Sequence, residues 1–323
     1  MNTISAPANN SVELPELTVI VVSYNTKELT LACLRTLYAN TYKTRFHCVV
    51  LDNDSKDGSA DAVAAEFPQA ELIRSAENLG FAKANNVVAA AASTEWLLLL
   101  NPDTEVHDKA VDNLLDFAKA HPEAGITGGR TVFPDGSLNR GSCWMRITPW
   151  STVCNALALS WIFADTNIFN PEAIGAWKRD TVREVDIVVG CFLMIRRELW
   201  NELEGFDLKY FMYGEEADLC LRAKAKGYRP MINPNAEIMH LEGAASVNYQ
   251  ARKYKMIARA RATLIRQHWP AGQINFGLAM MSFWAGSRAA IFRVVLWLTG
   301  KKRDSSEKWG EVWAERHDWL KGY

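Results

Sequence analysis

Glu215, Glu216 and Asp218 form a dense cluster of carboxylates within four residues of sequence. Like charges this close raise one another's pKa values, which suits a general base that accepts a proton near neutral pH. Acidic residues are also favoured in the first turn of a helix by the helix dipole. The cluster therefore has both a catalytic and a structural interpretation.

Two more carboxylates directly follow apolar runs. Asp52 ends the run in LDNDS, where its carboxylate is suited to accept the imide N–H of uracil or thymine; a turn or helix cap is the alternative. Asp103 follows WLLLL in the motif Asn101-Pro102-Asp103, where one oxygen is suited to hold a divalent cation against a diphosphate. The competing interpretation of Asp103 is a cap on a helix that begins near His107.

Two weaker signals accompany these carboxylates. In ENLGFAKANN, Gly80 precedes a helix whose free N–H groups suit a phosphate or a nucleobase, although Asn78 and Gly80 are equally typical of a simple turn. His240 follows an apolar, strand-like segment. A lone histidine is more often a satisfied core residue than a metal ligand, so its role depends on its neighbours.

The elements that must position these residues follow an alternating pattern. Short apolar runs alternate with helical periodicity over the first hundred residues, which predicts an α/β fold with a parallel sheet. Ligands in such open sheets bind beyond the carboxyl ends of the strands, so these polar residues should meet at one edge. The first strand lacks a following GxGxxG and no GxxxxGK[ST] occurs, which disfavours dinucleotide and P-loop chemistry. The predicted strands are 17–23, 46–51, 71–74 and 96–100, and the predicted helices are 28–38, 59–67 and 82–92.

The second half of the chain is less regular. Residues 131–177 are rich in Trp, Pro and small polar residues and are predicted to form loops bordering a pocket. Residues 185–195 are predicted to form one strand, with Gly190 marking a close backbone approach. Helices are predicted at 215–226, 253–268 and 276–298.

Composition narrows the functional classes. The chain has 323 residues, 49% of them hydrophobic, and a net charge of −1, which argues against a dedicated nucleic-acid binder. The six cysteines form no CxxC pair and are predicted to be buried free thiols. The first residues show no basic start followed by an apolar run, so a cytoplasmic location is expected.

The basic end of the chain requires a separate interpretation. Eleven Lys or Arg residues and no Asp or Glu lie between residues 252 and 303. Arg288 and Arg293 make a membrane-spanning helix costly, so 276–298 is predicted to lie in a membrane surface as an amphipathic helix. Trp284, Phe292 and Trp297 would then insert into the lipid. Packing on the catalytic domain, or on a second copy in a homodimer, is the alternative.

Taken together, VVSYN, LDNDS, NLGFAKANN, LLLNPD, GCFLMIRR, YGEEADLCLR and the later histidine resemble glycosyltransferase family 2, in particular its rhamnosyltransferase-type branch. The resemblance runs from residue 17 to residue 246. It implies a GT-A fold, which is a Rossmann-like α/β domain with a mostly parallel central sheet flanked by helices. The implied organisation is a flexible tail at 1–16, a catalytic domain at 17–247 and a basic, amphipathic helical extension at 248–323.

The resemblance also implies roles for individual residues. Asp103 and His240 would hold Mg²⁺ or Mn²⁺, with Asn101 at the first position of the family's DxD motif. Glu216 would be the catalytic base, one methylene longer than the commoner aspartate. The acceptor or sugar pocket would include Gly190, Glu215 and Asp218. The donor nucleotide would contact Ser23, Tyr24, Asn25, Asp52, Asn78, Gly80, Asn85, Asn101 and Asp103.

The implied activity is metal-dependent, inverting glycosyl transfer in bacterial polysaccharide synthesis. The expected donor is dTDP-L-rhamnose, and the expected acceptor is a hydroxyl of a glycan or a polyprenyl-diphosphate-linked saccharide. Alternatives are a transferase for another UDP- or dTDP-sugar and an inactive nucleotide-sugar-binding protein. A nucleotidyltransferase is disfavoured because the first strand is followed by Ser23-Tyr24-Asn25-Thr26, without the glycines and basic residues of a phosphate loop.

Overall fold

A computed structural model describes residues 14–241, 250–300 and 304–323. Its first four strands confirm the predicted ones: β1, β2 and β4 are largely buried in the sheet, and β3 is partly exposed beside β2. The strands are β1 (Leu17–Ser23), β2 (Phe46–Asp52), β3 (Glu71–Arg74), β4 (Trp96–Leu100), β5 (Thr104–Val106), β6 (Ile126–Val132), β7 (Leu138–Asn139), β8 (Cys143–Trp144), β9 (Arg183–Glu184), β10 (Ile187–Val188), β11 (Phe192–Arg196) and β12 (Met231–His240).

The helices flank this sheet and continue beyond it towards the C-terminus. They are α1 (Lys27–Asn40), α2 (Ser59–Glu66), α3 (Gly80–Ala91), α4 (Ala110–Ala120), α5 (Pro149–Ala156), α6 (Leu159–Ile162), α7 (Arg197–Glu202), α8 (Glu215–Ala225), α9 (Gln250–His268), α10 (Ala271–Thr299), α11 (Asp304–Ala314) and α12 (Arg316–Trp319).

The sheet topology aligns the ends of the site-bearing strands. The main path runs β3-β2-β1-β4-β11-β6-β12-β5, with β7 beside β6 and β9 beside β12. The strands β3, β2, β1 and β4 are mutually parallel, and β11 lies antiparallel between β4 and β6. Ser23 stands opposite Asp52 in the β1–β2 register. The carboxyl ends of the parallel strands therefore open onto one edge, as predicted.

Hydrophobic cores cover both faces of the sheet. Successive residues of β4 belong to different clusters: Leu97 and Leu99 to one, Leu98 and Leu100 to the other. This alternation is what a strand buried on both faces requires. Helices α3, α7 and α8 contribute to the cluster of Leu97 and Leu99, and α1, α2 and α4 contribute to the cluster of Leu98 and Leu100. Helix α9 adds Ala260 and Leu264 to the cluster of Leu97 and Leu99, so the C-terminal extension packs into the main core.

The prediction of a single strand over 185–195 is wrong. The segment forms β10 and β11, and the chain turns between them where Phe192 N–H donates to the Val189 carbonyl at 3.4 Å. At Gly190 a Cβ atom would lie 3.2 Å from the Phe81 ring, so the missing side chain allows the close approach. The segment 131–177 is also more ordered than predicted. Helix α5 within it begins with a capping box between Thr148 and Ser151.

A third cluster joins the C-terminal helices. Trp284 of α10 meets Trp309 of α11 edge to face, with ring centroids 4.8 Å apart, and Phe292 packs against the same cluster. Arg288 donates to the backbone carbonyls of Asn155 and Ala156. This inner face of α10 therefore packs on the protein, as the alternative interpretation expected. No described helix is long and apolar enough to cross a membrane. The predicted tail up to residue 13 and the boundary at 247/248 lie outside the described residues.

Candidate active site

Hydrogen bonds join the loop after β1 to the loop after β2. Ser23 is buried, and its hydroxyl lies 2.9 Å from that of Thr30. The Asn25 N–H donates to Ser55 Oγ at 3.0 Å, and Asn25 Oδ1 accepts from the Lys56 N–H at 2.7 Å. Asn25 has φ 52°, a left-handed conformation that asparagine tolerates better than most residues. Tyr24, the remaining predicted residue of this loop, is exposed at the edge.

Asp52 combines a turn contact with an unpaired oxygen. The side chain is 4% exposed, and Oδ2 accepts from the Ser55 N–H at 3.1 Å. Its other oxygen, Oδ1, is buried and meets no donor among the described residues. A buried carboxylate oxygen without a partner is costly unless a ligand supplies a donor. Oδ2 thus makes the turn contact, while the imide contact expected for Asp52 stays a prediction that would involve Oδ1.

Asn53, which the sequence interpretation did not single out, holds the next loop in place. Its amide donates to Asn78 Oδ1 at 3.0 Å, and its Oδ1 accepts from the Leu79 N–H at 2.7 Å. Asn78 Oδ1 also accepts from the Gly80 N–H at 2.9 Å, which closes the turn before α3. The signal was already present in LDNDS, because an asparagine after a strand commonly bonds to nearby backbone.

Two segments that are distant in sequence, at Phe211 and at Gly190, lie close to the first residues of α3. Gly80 has φ 75°, and a Cβ atom there would lie 3.1 Å from the Phe211 carbonyl oxygen. Gly190 approaches the ring of Phe81, the next residue of α3. Asn85 is buried within α3, and its amide donates to the Phe81 carbonyl at 2.9 Å. The donor group of Asn85 is therefore used within its own helix.

Asp103 and His240 come together through strand pairing. His240 ends β12 opposite Thr104 of β5, which places its ring beside the preceding residue. The distance from His240 Nε2 to Asp103 Oδ1 is 3.3 Å. Helix α4 begins only at Ala110, so Asp103 does not cap it. The predicted pairing of Asp103 with His240 is thus seen in the geometry.

The electrostatics of His240 depend on its surroundings. Burial disfavours the imidazolium, but the Cys191 sulfur and the Asp103 carboxylate stabilise it and hold the pKa of His240 above its usual value. Its Nδ1 atom is buried and has no partner among the described residues. His240 therefore has the Asp103 carboxylate beside Nε2 and a buried Nδ1 that no described residue contacts by a hydrogen bond.

Asp103 and His240 are the candidate ligands for a divalent cation. No group of three His, Cys, Asp or Glu side chains suited to a metal occurs among the described residues. Mg²⁺ and Mn²⁺, however, are commonly held by one or two protein ligands together with substrate phosphates and water. A carboxylate paired with an imidazole fits that donor set once His240 has lost its proton, because only the neutral ring can ligate a metal. Asn101 adjoins the pair, and its N–H donates to the Cys191 carbonyl at 3.1 Å.

The two glutamates at the start of α8 have raised pKa values. Tyr213 and Gly214 precede them with φ values of 68° and 93°, so the chain turns sharply into the helix. Glu215 is 4% exposed, and burial together with the charge of Glu216 raises its pKa well above the usual value. Burial also raises the pKa of Glu216, whose side chain keeps some exposure. A base contacts its substrate, so Glu216 is the better placed of the two.

The orientation of α8 supports that assignment. Glu216 and Cys220 are four residues apart and share a helix face. The Cys220 sulfur accepts from the Val188 N–H at 3.4 Å, so this face points towards the β10–β11 turn that contains Gly190. The same turn is bonded to Asn101 through the Cys191 carbonyl. Glu216 therefore lies on the face of α8 directed towards the β10–β11 turn.

Asp218 has a different role from its neighbours. It is 1% exposed, and its oxygens lie 2.9 Å from His268 Nε2 and 2.7 Å from Arg222 Nε. Burial opposes ionisation, but these bonds hold the pKa of Asp218 below its usual value. Arg222 also donates to the carbonyls of Leu203 and Gly205. These bonds tie α8 to α9 through Asp218, and the acceptor contact expected for Asp218 from the sequence stays a prediction.

The mixed sheet and its polar carboxyl edge have the architecture of a GT-A glycosyltransferase. The mannosyltransferase PcManGT from Pyrobaculum calidifontis, solved with GDP-Man and Mn²⁺, superposes with a TM-score of 0.60 at 18% identity. The match covers 94% of this chain and 87% of that one. The chain belongs to glycosyl transferase family 2, whose sequence model matches residues 18–203.

Two relatives that resemble this chain in sequence are named as rhamnosyltransferases. An N-acetylglucosaminyl-diphospho-decaprenol L-rhamnosyltransferase of Mycobacterium tuberculosis (strain H37Rv) is 28% identical over 204 residues, which are 59% of this chain. The match spans 65% of that relative's length, slightly less than two thirds. The rhamnosyltransferase WbbL of Escherichia coli (strain K12) is 26% identical over 232 residues, covering 69% of this chain and 82% of that protein. The resemblance to the rhamnosyltransferase branch is thus confirmed at modest identity.

Proposed function

We propose that the protein is an inverting glycosyltransferase that moves a sugar from a nucleoside diphosphate to a saccharide hydroxyl. The observation that carries the proposal is the buried, unpartnered Asp52 Oδ1 at the same sheet edge as the Asp103–His240 pair. The first is suited to an imide N–H, and the second to a cation that meets the diphosphate. Asp52 ends β2 and Asp103 follows β4, two strands that flank β1, so both belong to the edge where open α/β sheets bind ligands.

Glu216 would act as the general base. With a raised pKa it is a stronger base than an ordinary carboxylate, and it would take the acceptor hydroxyl's proton as that oxygen forms its bond to the anomeric carbon. The bond from that carbon to the diphosphate oxygen breaks on the opposite face, so one displacement inverts the configuration. Asp103 and His240 would hold the Mg²⁺ or Mn²⁺. When bound, the ion neutralises charge on the departing diphosphate.

The donor we propose is dTDP-L-rhamnose. Asp52 would read the imide that uracil and thymine share, so the nucleobase contact is equally consistent with a UDP-sugar. L-Rhamnose is favoured because both named relatives are rhamnosyltransferases. The acceptor we propose is a polyprenyl-diphosphate-linked saccharide, the class named for the mycobacterial relative. Buried free thiols at all six cysteines are consistent with a reaction on the cytoplasmic side of the membrane.

A lipid-linked acceptor implies contact with a membrane surface, and α10 carries a suitable one. Its outer face bears a stripe of exposed apolar side chains, with Trp297 81% exposed. The sequence places Lys301, Lys302 and Arg303 just after it, which suits anionic lipid headgroups. We propose that this stripe docks on anionic membranes. The stripe consists of Phe276, Phe283, Ile291, Val294, Trp297 and Leu298.

Vesicle flotation tests the docking surface. The protein should float with vesicles containing anionic lipid, and the double variant Val294→Glu/Leu298→Glu should not, because both side chains lie in the stripe. Val182→Glu/Leu208→Glu, which adds the same two charges at exposed apolar positions outside α10, is the control. Loss of a concentration-dependent dimer in the double variant, without flotation of the wild type, would assign the stripe to a second copy instead.

Ligand-dependent thermal stability tests the donor site. A ligand that binds the native state raises the melting temperature in proportion to its occupancy. We expect a rise with thymidine or uridine diphosphate in Mn²⁺, a smaller rise with chelator, and little rise with guanosine or cytidine diphosphate. A preference for guanosine diphosphate, or no rise with any nucleotide, would contradict the proposal.

A further inference from the structure

A cavity of about 450 Å³ lies between the start of α9 and the C-terminal residues. It is separate from the sheet edge that carries Asp52 and Asp103. Its walls include Phe211, Arg252, Lys255, Arg259, Trp319 and Tyr323. This volume suits a small charged group.

The cations of this cleft lie on one face of α9. Arg252, Lys255 and Arg259 follow at intervals of three and four residues, so they project side by side. Two acidic residues, Glu315 and Asp318, share the lining. Lys255 Nζ lies 2.7 Å from Glu315 Oε1, and Arg259 forms an ion pair with Asp318.

Arg252 gives the cleft its excess positive charge. Within the part of the chain that the structure describes, no ion pair joins Arg252 to a carboxylate, and its side chain is exposed. The lining therefore carries one more positive than negative charge. The exposed guanidinium of Arg252 is suited to a phosphate, since arginine binds phosphate oxygens in a bidentate manner.

The cleft shares a wall with the active site. Phe211 lines it, and the same residue's carbonyl oxygen lies against Gly80 in the predicted donor loop. The hydroxyl of Tyr323 donates to the Met212 carbonyl at 2.9 Å, so the end of the chain fixes the segment leading to Glu215 and Glu216. A group bound in the cleft would thus be separated from the base by this short segment only.

We infer that this basic cleft binds the diphosphate of the lipid-linked acceptor. The inference rests on the proposed function, because it assumes an acceptor saccharide that reaches Glu216 across the 211–214 segment. The donor diphosphate has its own place at the Asp103–His240 pair, which leaves the cleft for a second diphosphate. The Lys255–Glu315 and Arg259–Asp318 pairs would open towards the incoming phosphates while Arg252 makes the first contact.

Binding of inorganic pyrophosphate tests the cleft without any transfer reaction. The probe is tryptophan fluorescence, since Trp319 lines the cavity, with a nucleoside diphosphate and Mn²⁺ saturating the donor site. We expect wild type to bind pyrophosphate and Arg252→Gln to weaken binding about tenfold, the effect of losing one charge-assisted contact. Lys253→Gln, the neighbouring cation outside the lining, should change binding less than about twofold. Equal effects of the two variants, or no pyrophosphate binding by wild type, would overturn the inference.

Kinetics with two acceptors then identify the source of the phosphate. One acceptor carries the saccharide on a short prenyl diphosphate, and the other carries the same saccharide on a neutral alkyl chain. Arg252→Gln should lower the ratio of kcat/KM for the diphosphate acceptor over the neutral acceptor about tenfold. An unchanged ratio despite weaker pyrophosphate binding would make the cleft a site for free phosphates and overturn the acceptor assignment. If wild type transferred the sugar to neither acceptor, the proposed function would be contradicted. The pyrophosphate measurement would still show whether the cleft binds a diphosphate.

Discussion

Replacing Asp52 by asparagine should change which nucleobase the donor site prefers. In wild type the unpartnered Oδ1 accepts the imide N–H of uracil or thymine in our proposal, while Oδ2 keeps its 3.1 Å bond from the Ser55 N–H. In the variant the remaining oxygen satisfies Ser55, and the amide N–H₂ faces the base. With uracil or thymine, this amide N–H₂ would meet the imide N–H of the base, so two donors would face each other. With cytosine it could donate to N3, which is an acceptor.

The size of the effect follows from the lost bond. A hydrogen bond to a charged acceptor contributes about 2 kcal/mol, which corresponds to about 30-fold in Kd. Calorimetric titration with nucleoside diphosphates in Mn²⁺ measures it directly. Uridine and thymidine diphosphates should bind about 30-fold more weakly, and cytidine diphosphate should gain relative to them.

Asp54→Asn is the matched control for this variant. It makes the same chemical change two residues away, at a position with φ 67° that asparagine tolerates, and it removes only an exposed ion pair with Lys56. Its binding should equal that of wild type. If Asp52→Asn binds uridine diphosphate as tightly as wild type, the unpaired oxygen does not read the base and our account of the donor site is wrong.

Three further variants test other parts of the structure. Glu215→Gln should raise the melting temperature above pH 4.5 and leave it unchanged below, because a raised folded-state pKa means that stability is lost as the buried group ionises; equal curves at all pH values would refute this. Asp103→Asn should raise the Mn²⁺ concentration needed for nucleotide binding at least about tenfold, and calorimetry showing no change would exclude Asp103 as a ligand. Glu172→Gln should lower the free energy of unfolding by about 3 kcal/mol in urea titration, since it leaves Arg261, 27% exposed, without its 2.7 Å partner. A cost under about 1 kcal/mol would place that pair among ordinary surface ion pairs.

Local patterns in the sequence were sufficient for the first half of the sheet. The run from Leu17 to Ser23 is almost wholly apolar, as the burial of β1 on both faces requires, and it ends at the polar residue Ser23. The same holds for β4 and the motif that carries Asp103. Because parallel strands share a carboxyl edge, the sequence also predicted that these residues would meet.

Non-local contacts could not be predicted in this way. The insertion of β11 between β4 and β6 is a pairing of segments far apart in sequence, and periodicity carries no information about partners. The close approach at Gly190 involves Phe81, which lies in α3 and is distant in sequence. Asp218 belongs to an acidic cluster in the sequence, yet in the structure it forms an ion pair with His268 on α9. The hydrogen bond from the Tyr323 hydroxyl to the Met212 carbonyl likewise depends on how the C-terminal residues pack.

The most direct test of the central claim is a transfer assay with dTDP-L-rhamnose, Mn²⁺ and a prenyl-diphosphate-linked saccharide, in which nucleotide release and the anomeric configuration of the product are both followed. We predict a product of inverted configuration and a rate whose acid limb lies above the usual glutamate pKa, because burial raises the pKa of Glu216. Glu216→Gln should lower kcat by about 10²- to 10⁴-fold, whereas Glu202→Gln on the exposed surface should not change it. A product of retained configuration, or full activity in Glu216→Gln, would contradict the account.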